Sequence, residues 1–295
     1  MAYKPTQTFS FHRISDEYSP AYPPIPTKVF DKICRHLKKN YTTIHPDNLF
    51  SDQPTPKPRV LVTFDDAYMD FQQEALPILE KYEIPVLQHI ITDCADTGVS
   101  FWTQKLNKII EAHFHQGKAI SIEVLNLKLK PLKEKDVEKT ALAIYKHLLE
   151  VQVEKREEII KNLEANLSQK VEHTPMLTWQ ELRALNKSDL IEFGSHTCSH
   201  KNLATLSVKE ARNEMINSKK RIKEELNIRK KLFLAYPNGQ FNQQTPKIAE
   251  DVGYKAAFTT QGMRFEEQNV FQIPRILVYH TNWWKNWIYL RWVKR

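Results

Sequence analysis

At 295 residues, with 41% hydrophobic and 26% charged residues, the chain is long enough for one large α/β domain or two small ones and has the composition of a globular protein. Its formal charge of +8 favours anionic partners, but the lysines are scattered, which fits solvated helices better than a nucleic-acid surface. Cys34, Cys94 and Cys198 are too few for a disulfide framework and fit a reducing compartment, and the lack of an apolar leader core or of any apolar run of about 18 residues excludes a spanning helix and predicts a cytoplasmic location, although a chain stripped of its leader would read the same.

Residues 7 to 12 alternate in the manner of a strand that finishes on His12. A Pro-rich loop over 18–26 follows, and Thr27 is expected to cap a helix whose apolar stripe is Val29, Phe30, Ile33 and Leu37. The run from Arg59 to Phe64 reads as a buried strand that ends abruptly in Asp65 and Asp66, the place where an α/β fold delivers side chains to a cleft. Two adjacent carboxylates repel each other unless a cation or a shared proton intervenes, so a metal is the natural question. Residues 68–81 read as a helix and 84–91 as the next strand, a β-α-β unit that predicts a parallel sheet. His89 lies inside that strand and is assigned to packing.

Residues 101–172 break this rhythm with three amphipathic helices. They read as a helical insertion, a lid or docking surface, within one domain spanning 1–295. Thr178 to Glu181 is a capping box opening a short helix. The apolar run Leu190, Ile191, Phe193 then ends in His196 and His200, whose spacing of four brings both imidazoles to one side through a helical turn or a tight loop. Asp66, His196 and His200 together would offer one carboxylate and two nitrogens with an open position, the ligand set of a hydrolytic zinc-type site.

Ser207 to Glu210 is a second capping box, starting a long helix. A strand from Leu232 to Ala235 runs into the turn Pro237-Asn238-Gly239, a helix from Thr245 stops at Gly253, and strands follow at 256–260 and 271–278. The accumulated β-α pairs predict an α/β fold, a distorted or incomplete (β/α) barrel with its site on the carboxyl-end loops. The aromatic and basic tail from Asn282 to Arg295 reads as a final helix packing its rings on the barrel, in preference to a helix making peripheral membrane contact.

Thr63-Phe-Asp-Asp66 followed by His196-Thr-Cys-Ser-His200 resembles the first two motifs of the polysaccharide deacetylase family, also called the NodB-homology or carbohydrate esterase 4 family. The resemblance implies metal-dependent removal of an N-acetyl group from a sugar or polysaccharide. It makes Asp65 the base and places Asp66, His196 and His200 on a divalent metal, zinc first, with cobalt or nickel as alternatives. It also implies that Asn238 donates to the charge developing on the carbonyl oxygen. The segment from Ser10 to Ser15 resembles a permuted branch, that of the biofilm poly-N-acetylglucosamine deacetylases, in which the general-acid histidine lies near the amino terminus. His12 is accordingly the candidate acid, with His280, at a carboxyl-terminal strand end as in the unpermuted majority, as its rival.

Two positions depart from the family pattern. The glycine usual after the aspartate pair is Ala67, a mild change if its backbone angles are ordinary, and the arginine usual two residues before the third motif's proline is Ala235. Arg275, in Ile273-Pro-Arg-Ile276, resembles an arginine able to orient Asp65 from the final strand. On the residues alone, a strand-end histidine such as His12 is more often a structural hydrogen-bonder. A metal- or glycan-binding pseudoenzyme, an O-acetyl esterase of the same fold and a thiol hydrolase built on Cys198 are the competing readings. A glycosidase is disfavoured because its carboxylates must flank a sugar, about 5 Å or more apart.

Overall fold

The computed structural model describes residues 6–123, 126–260 and 269–292. In chain order its elements are β1 (Gln7–Phe11), α1 (Thr27–Asn40), β2 (Thr42–Thr43), β3 (Arg59–Phe64), α2 (Leu76–Lys81), β4 (Val86–Ile90), α3 (Thr92–Thr97), α4 (Trp102–His115), β5 (Ile120–Ile122), β6 (Leu127–Leu129), α5 (Glu134–Leu149), α6 (Val153–Ala165), α7 (Trp179–Leu185), β7 (Ile191–Ser195), α8 (Val208–Leu226), β8 (Phe233–Ala235), α9 (Thr245–Val252), β9 (Ala256–Thr259), β10 (Ile273–Pro274), β11 (Ile276–Leu277) and α10 (Trp283–Trp292). They fall into two units. One comprises residues 1–16, 25–98 and 176–295; the other comprises 17–24 and 99–175.

In the first unit the strands pair in the order β10-β9-β8-β7-β4-β3-β1-β11, all parallel, with β2 beside the start of β3. The two ends of this path, β10 and β11, are neighbours in sequence, separated by Arg275 alone. Residues 273–277 thus form one interrupted strand, whose first half pairs with β9 (Ile273↔Phe258) and whose second half pairs with β1 (Phe9↔Ile276). The sheet therefore closes on itself as a distorted barrel with a seam at Arg275.

Strands buried on both faces are apolar throughout, so their period of two is hidden in the sequence. The packing reveals it. Phe9 and Phe11 of β1, Val60, Val62 and Phe64 of β3, Val86 and Ile90 of β4 and Phe193 of β7 face the helices, against Phe30, Ile33 and Leu37 of α1 and Met215 and Ile222 of α8. Leu61, Leu87, Phe233, Ala235, Phe258 and Ile273 point the other way and fill the barrel. Ile44 and Leu49, on the loop after β2, plug its amino-terminal end, and the buried Arg59 guanidinium donates to the carbonyls of Asn48, Leu49 and Ser51 to hold that plug.

The second unit has its own core. Leu106, Ile109 and Ile110 of α4 pack with Val137, Ile144 and Leu148 of α5 and Ile160 and Leu163 of α6, closed by Ile120 and Ile122 of the antiparallel hairpin β5–β6. The buried Glu111 carboxylate accepts from Ser19 Oγ (2.6 Å) and Ala21 N (3.3 Å), tying residues 17–24 to α4.

Several local expectations need correction. Thr27 does not cap α1: it is the first helical residue after Pro26, and the Asp16 carboxylate accepts from its N (3.0 Å) and Oγ1 (2.6 Å). The stretch expected as one helix over 68–81 begins with a π-helical turn, Phe71–Ala75, before α2. The hairpin β5–β6 was hidden by its brevity. Both capping boxes are present, at Thr178/Glu181 and Ser207/Glu210. The aromatic tail docks through buried Leu290 and Asn286, with Trp283 against the core and Tyr41 Oη donating to the Leu290 carbonyl (2.7 Å), whereas Trp284 is 66% exposed. Residues 293–295 of that tail lie outside the described residues, and among those described no helix is long and apolar enough to cross a membrane.

Candidate active site

Strand register assembles the site. β1 and β3 pair from Gln7↔Val60 to Phe11↔Phe64, and Asp65 N donates to the Phe11 carbonyl (3.0 Å), so His12 and Asp65 leave the sheet side by side. Phe64 pairs with Gln88, placing His89 next to Asp65; His89 pairs with Gly194, placing His196 one pleat further on; Arg275 enters from the seam. His12, Asp65, His89, His196 and Arg275 all share the parity of the barrel-filling residues. They form one polar layer at the carboxyl end of an apolar interior.

Asp65 sits at the centre of this layer, 3% exposed. The Arg275 guanidinium grips it in a two-pronged ion pair, Nη1 to Oδ1 and Nη2 to Oδ2, both 2.7 Å. His89 Nδ1 lies 2.8 Å from Oδ1, Ser10 Oγ 3.4 Å from Oδ2 and His12 Nε2 3.9 Å from Oδ2. Burial works to raise its pKa, but Arg275, His196 and His89 hold it well below the ordinary carboxylate range. Asp66 is the reverse case: burial, with the Asp65 charge beside it, pushes its pKa well above the ordinary value.

Oδ1 of Asp66 is buried and has no hydrogen-bond partner among the described residues. It faces His196 Nε2 at 3.4 Å and His200 Nε2 at 3.7 Å, the three ligand atoms lying within 4.8 Å of one another. The Ala235 carbonyl, 2.8 Å from His196 Nδ1, can only accept, so Nδ1 carries the proton and Nε2 presents a lone pair. Burial lowers the pKa of His196 to about 4 and that of His200 well below the ordinary range, leaving both neutral. Acceptors converging on one point without a donor between them fit a divalent cation.

The histidines reach this point through a loop rather than a helical turn. Thr197 (φ 68) and His200 (φ 55) are left-handed. Glu214 of α8 pins the loop: its Oε2 accepts from Cys198 N and Ser199 N, both 3.0 Å, and its Oε1 from Ser199 Oγ at 2.7 Å. Cys198 Sγ donates to the Glu214 carbonyl (3.4 Å), and burial raises its thiol pKa to about 11, the opposite of an activated nucleophile.

The aspartate turn carries strain. Asp66 (φ 73) and Ala67 (φ 65) are both left-handed, so the expectation of ordinary angles at Ala67 is not met, and the missing glycine costs about 1 kcal/mol. Asn238 (φ 57) stands in the turn directly after β8, and the adjoining Gly239 is obligatory, since a Cβ there would lie 1.9 Å from Thr260 Oγ1. His280 has its backbone tied to Asn286 and its ring against Tyr279 (4.3 Å) and Tyr289 (5.2 Å). His89, assigned to packing on sequence, contacts Asp65 directly. Its parity with Leu87 was the available signal, invisible in a strand whose two faces are both buried.

The family model for polysaccharide deacetylase matches residues 52–257, more than half of the chain. The chain belongs to the polysaccharide deacetylase family. The matched stretch of this deacetylase-family chain includes Asp65, Asp66, His196, His200 and Asn238, and leaves His12 and Arg275 outside it. YxkH of Bacillus subtilis (strain 168), which is named for polysaccharide deacetylases, is 24% identical over 260 residues; the match covers 86% of this chain and 65% of YxkH. Two solved structures share the fold: the Streptococcus pyogenes deacetylase PplD in complex with acetate (TM-score 0.61, 19% identity, 93% of this chain and 92% of that one) and IcaB from Ammonifex degensii (TM-score 0.62, 16% identity, 99% and 97%). The chain spans less than two thirds of the length of YxkH, and it carries an acidic and histidine group able to hold a metal.

Proposed function

We propose that the chain is a metal-dependent hydrolase that removes N-acetyl groups from an N-acetylated saccharide, releasing acetate and a free amine. The observation carrying this reading is the buried Oδ1 of Asp66, without a hydrogen-bond partner among the described residues and facing the Nε2 atoms of two imidazoles, with a second carboxylate alongside that is held by the protein. A divalent cation held by Asp66, His196 and His200, zinc first by its preference for nitrogen and carboxylate ligands, supplies Lewis-acid polarisation of the carbonyl and a lowered pKa for water.

The chain's own residues do the rest. Asp65, fixed by Arg275, takes a proton from the attacking water. Negative charge grows on the carbonyl oxygen, which Asn238 meets from the turn after β8. As the carbon–nitrogen bond breaks, the proton returns to the departing nitrogen through His12, whose Nε2 stands 3.9 Å from Asp65 Oδ2 and whose side chain is 25% exposed toward solvent. His12 is preferred to His280 on this geometry.

Free amine and acetate, measured after incubating metal-replete protein with a panel of N-acetylated and O-acetylated saccharides, test the reading. Equal release of both from N-acetylated sugars is expected. Acetate from O-acetylated sugars alone would replace the proposal with an esterase, and no release from any sugar would overturn it.

A further inference from the structure

His89 lies wholly inside the barrel, 0% exposed, where an apolar side chain would pack as well. Its ring makes one strong polar contact, Nδ1 to Oδ1 of Asp65 at 2.8 Å. An ionised carboxylate only accepts, so the proton is on Nδ1; Nε2 has no hydrogen-bond partner among the described residues, which a neutral acceptor tolerates better than a donor would. The neighbouring strand makes room for the ring. A Cβ at Gly194 would lie 2.7 Å from His89 Cδ2 and 3.2 Å from Nε2, so the sequence forgoes a side chain at 194 to admit an imidazole at 89.

A carboxylate oxygen offers two in-plane lone pairs. Oδ1 of Asp65 meets His89 Nδ1 (2.8 Å) and Arg275 Nη1 (2.7 Å), and both of its lone pairs are used. Oδ2 meets only Arg275 Nη2 at short range (2.7 Å); its other lone pair looks toward Ser10 Oγ (3.4 Å) and His12 Nε2 (3.9 Å). The two oxygens of one carboxylate are thus made unequal by a single imidazole.

We propose that His89 is a positioning residue that commits Oδ1 of Asp65 to the protein and leaves Oδ2 as the proton-accepting oxygen, turned toward His12. The inference rests on the deacetylase reading above and deepens it. His89 is sealed from solvent and its short polar contact is to Asp65, so its effect on turnover passes through the orientation of that carboxylate. Nδ2 of asparagine can take the place of His89 Nδ1, whereas phenylalanine fills the space without a donor.

The test compares His89→Phe and His89→Asn on the N-acetylated saccharide that the wild-type protein turns over fastest, with metal content and thermal midpoint measured alongside. His89→Phe is expected to lower kcat about 10²-fold, the cost of a misplaced catalytic group, with KM and metal content unchanged. His89→Asn is expected to restore kcat to within about tenfold of wild type, because it returns the donor. A wild-type kcat in His89→Phe, an equal loss in both variants, or a loss confined to KM would overturn the inference.

A second readout needs no turnover. In the metal-free protein, the His89 Nδ1 proton should give a far-downfield proton NMR signal that disappears in His89→Phe. Its absence from wild type would overturn the inference alone. Its presence with no release from any sugar would overturn the deacetylase reading alone.

Discussion

Each end of the barrel carries a cluster with the makings of a metal site. At the carboxyl end it is Asp66, His196 and His200; at the amino end it is His45 and Asp47, on the loop after β2, with Glu192 at the start of β7. In both, the ligand atoms lie within 4.8 Å of one another. The difference is where the positive charge comes from. At the amino end Lys230 Nζ sits 2.8 Å from Asp47 and 3.1 Å from Glu192, Lys255 Nζ sits 3.3 Å from Asp47, and His45 Nδ1 already accepts from Asp47 N (3.2 Å). At the carboxyl end Arg275, the one guanidinium of the layer among the described residues, is spent on Asp65, and Asp66 faces the Nε2 atoms of His196 and His200. Spacing is matched, while the carboxyl-end cluster has two imidazoles to one carboxylate and the amino-end cluster one imidazole to two; charge balance separates a closed ionic cluster from a site that asks for a cation.

Removing one histidine from each cluster distinguishes the two ends most strongly. His200→Ala should take the divalent ion content from about one per chain to none and abolish turnover, while His45→Ala should leave both near wild type, as read by elemental analysis after dialysis. An ion retained in the first variant or lost in the second would reverse the assignment of the two ends.

Cations can be exchanged for apolar side chains in the same spirit. Arg275→Met strands a fully buried Asp65 and should cost about 3–5 kcal/mol in denaturant unfolding, with kcat down by about 10²-fold or more. Lys230→Met, at a half-exposed position, should cost only about 1–2 kcal/mol and leave kcat unchanged. Equal stability losses, or a catalytic effect of the lysine, would show that the two ends are not energetically distinct.

Backbone effects are smaller. Gly194→Ala places a methyl group against His89 and the Phe233 carbonyl, 3.0 Å from its oxygen, and should destabilise by about 1–3 kcal/mol. Ala67→Gly should do the opposite, gaining up to about 1 kcal/mol by relieving the left-handed strain, less the extra freedom glycine has when unfolded. A destabilised Ala67→Gly would mean that the turn after Asp66 is held at no strain cost.

The sequence announced what local chemistry can announce. Paired carboxylates ending an apolar run, two histidines four apart ending another, both capping boxes and the turn at Gly239 depend on neighbours in the chain. Relations between strands stayed hidden. That β10 and β11 are one strand broken at Arg275 follows from which partners each half meets, and nothing in Ile273-Pro-Arg-Ile276 states it. From sequence His89 reads as packing because Val86, Leu87 and Ile90 are apolar on both faces, and its meeting with Asp65 depends on the β3–β4 register. Ala67 looked harmless because a left-handed φ leaves no trace in a residue name. The cluster of His45, Asp47 and Glu192 draws on residues far apart in the chain and joins no recognisable motif.

On the proposed mechanism Asp66 binds the cation and Asp65 does not. Metal content and turnover measured together on Asp65→Asn test it most directly. About one divalent ion per chain should remain while kcat falls by about 10²–10⁴-fold, the worth of a positioned general base. Loss of the ion, or turnover that survives the substitution, would contradict it.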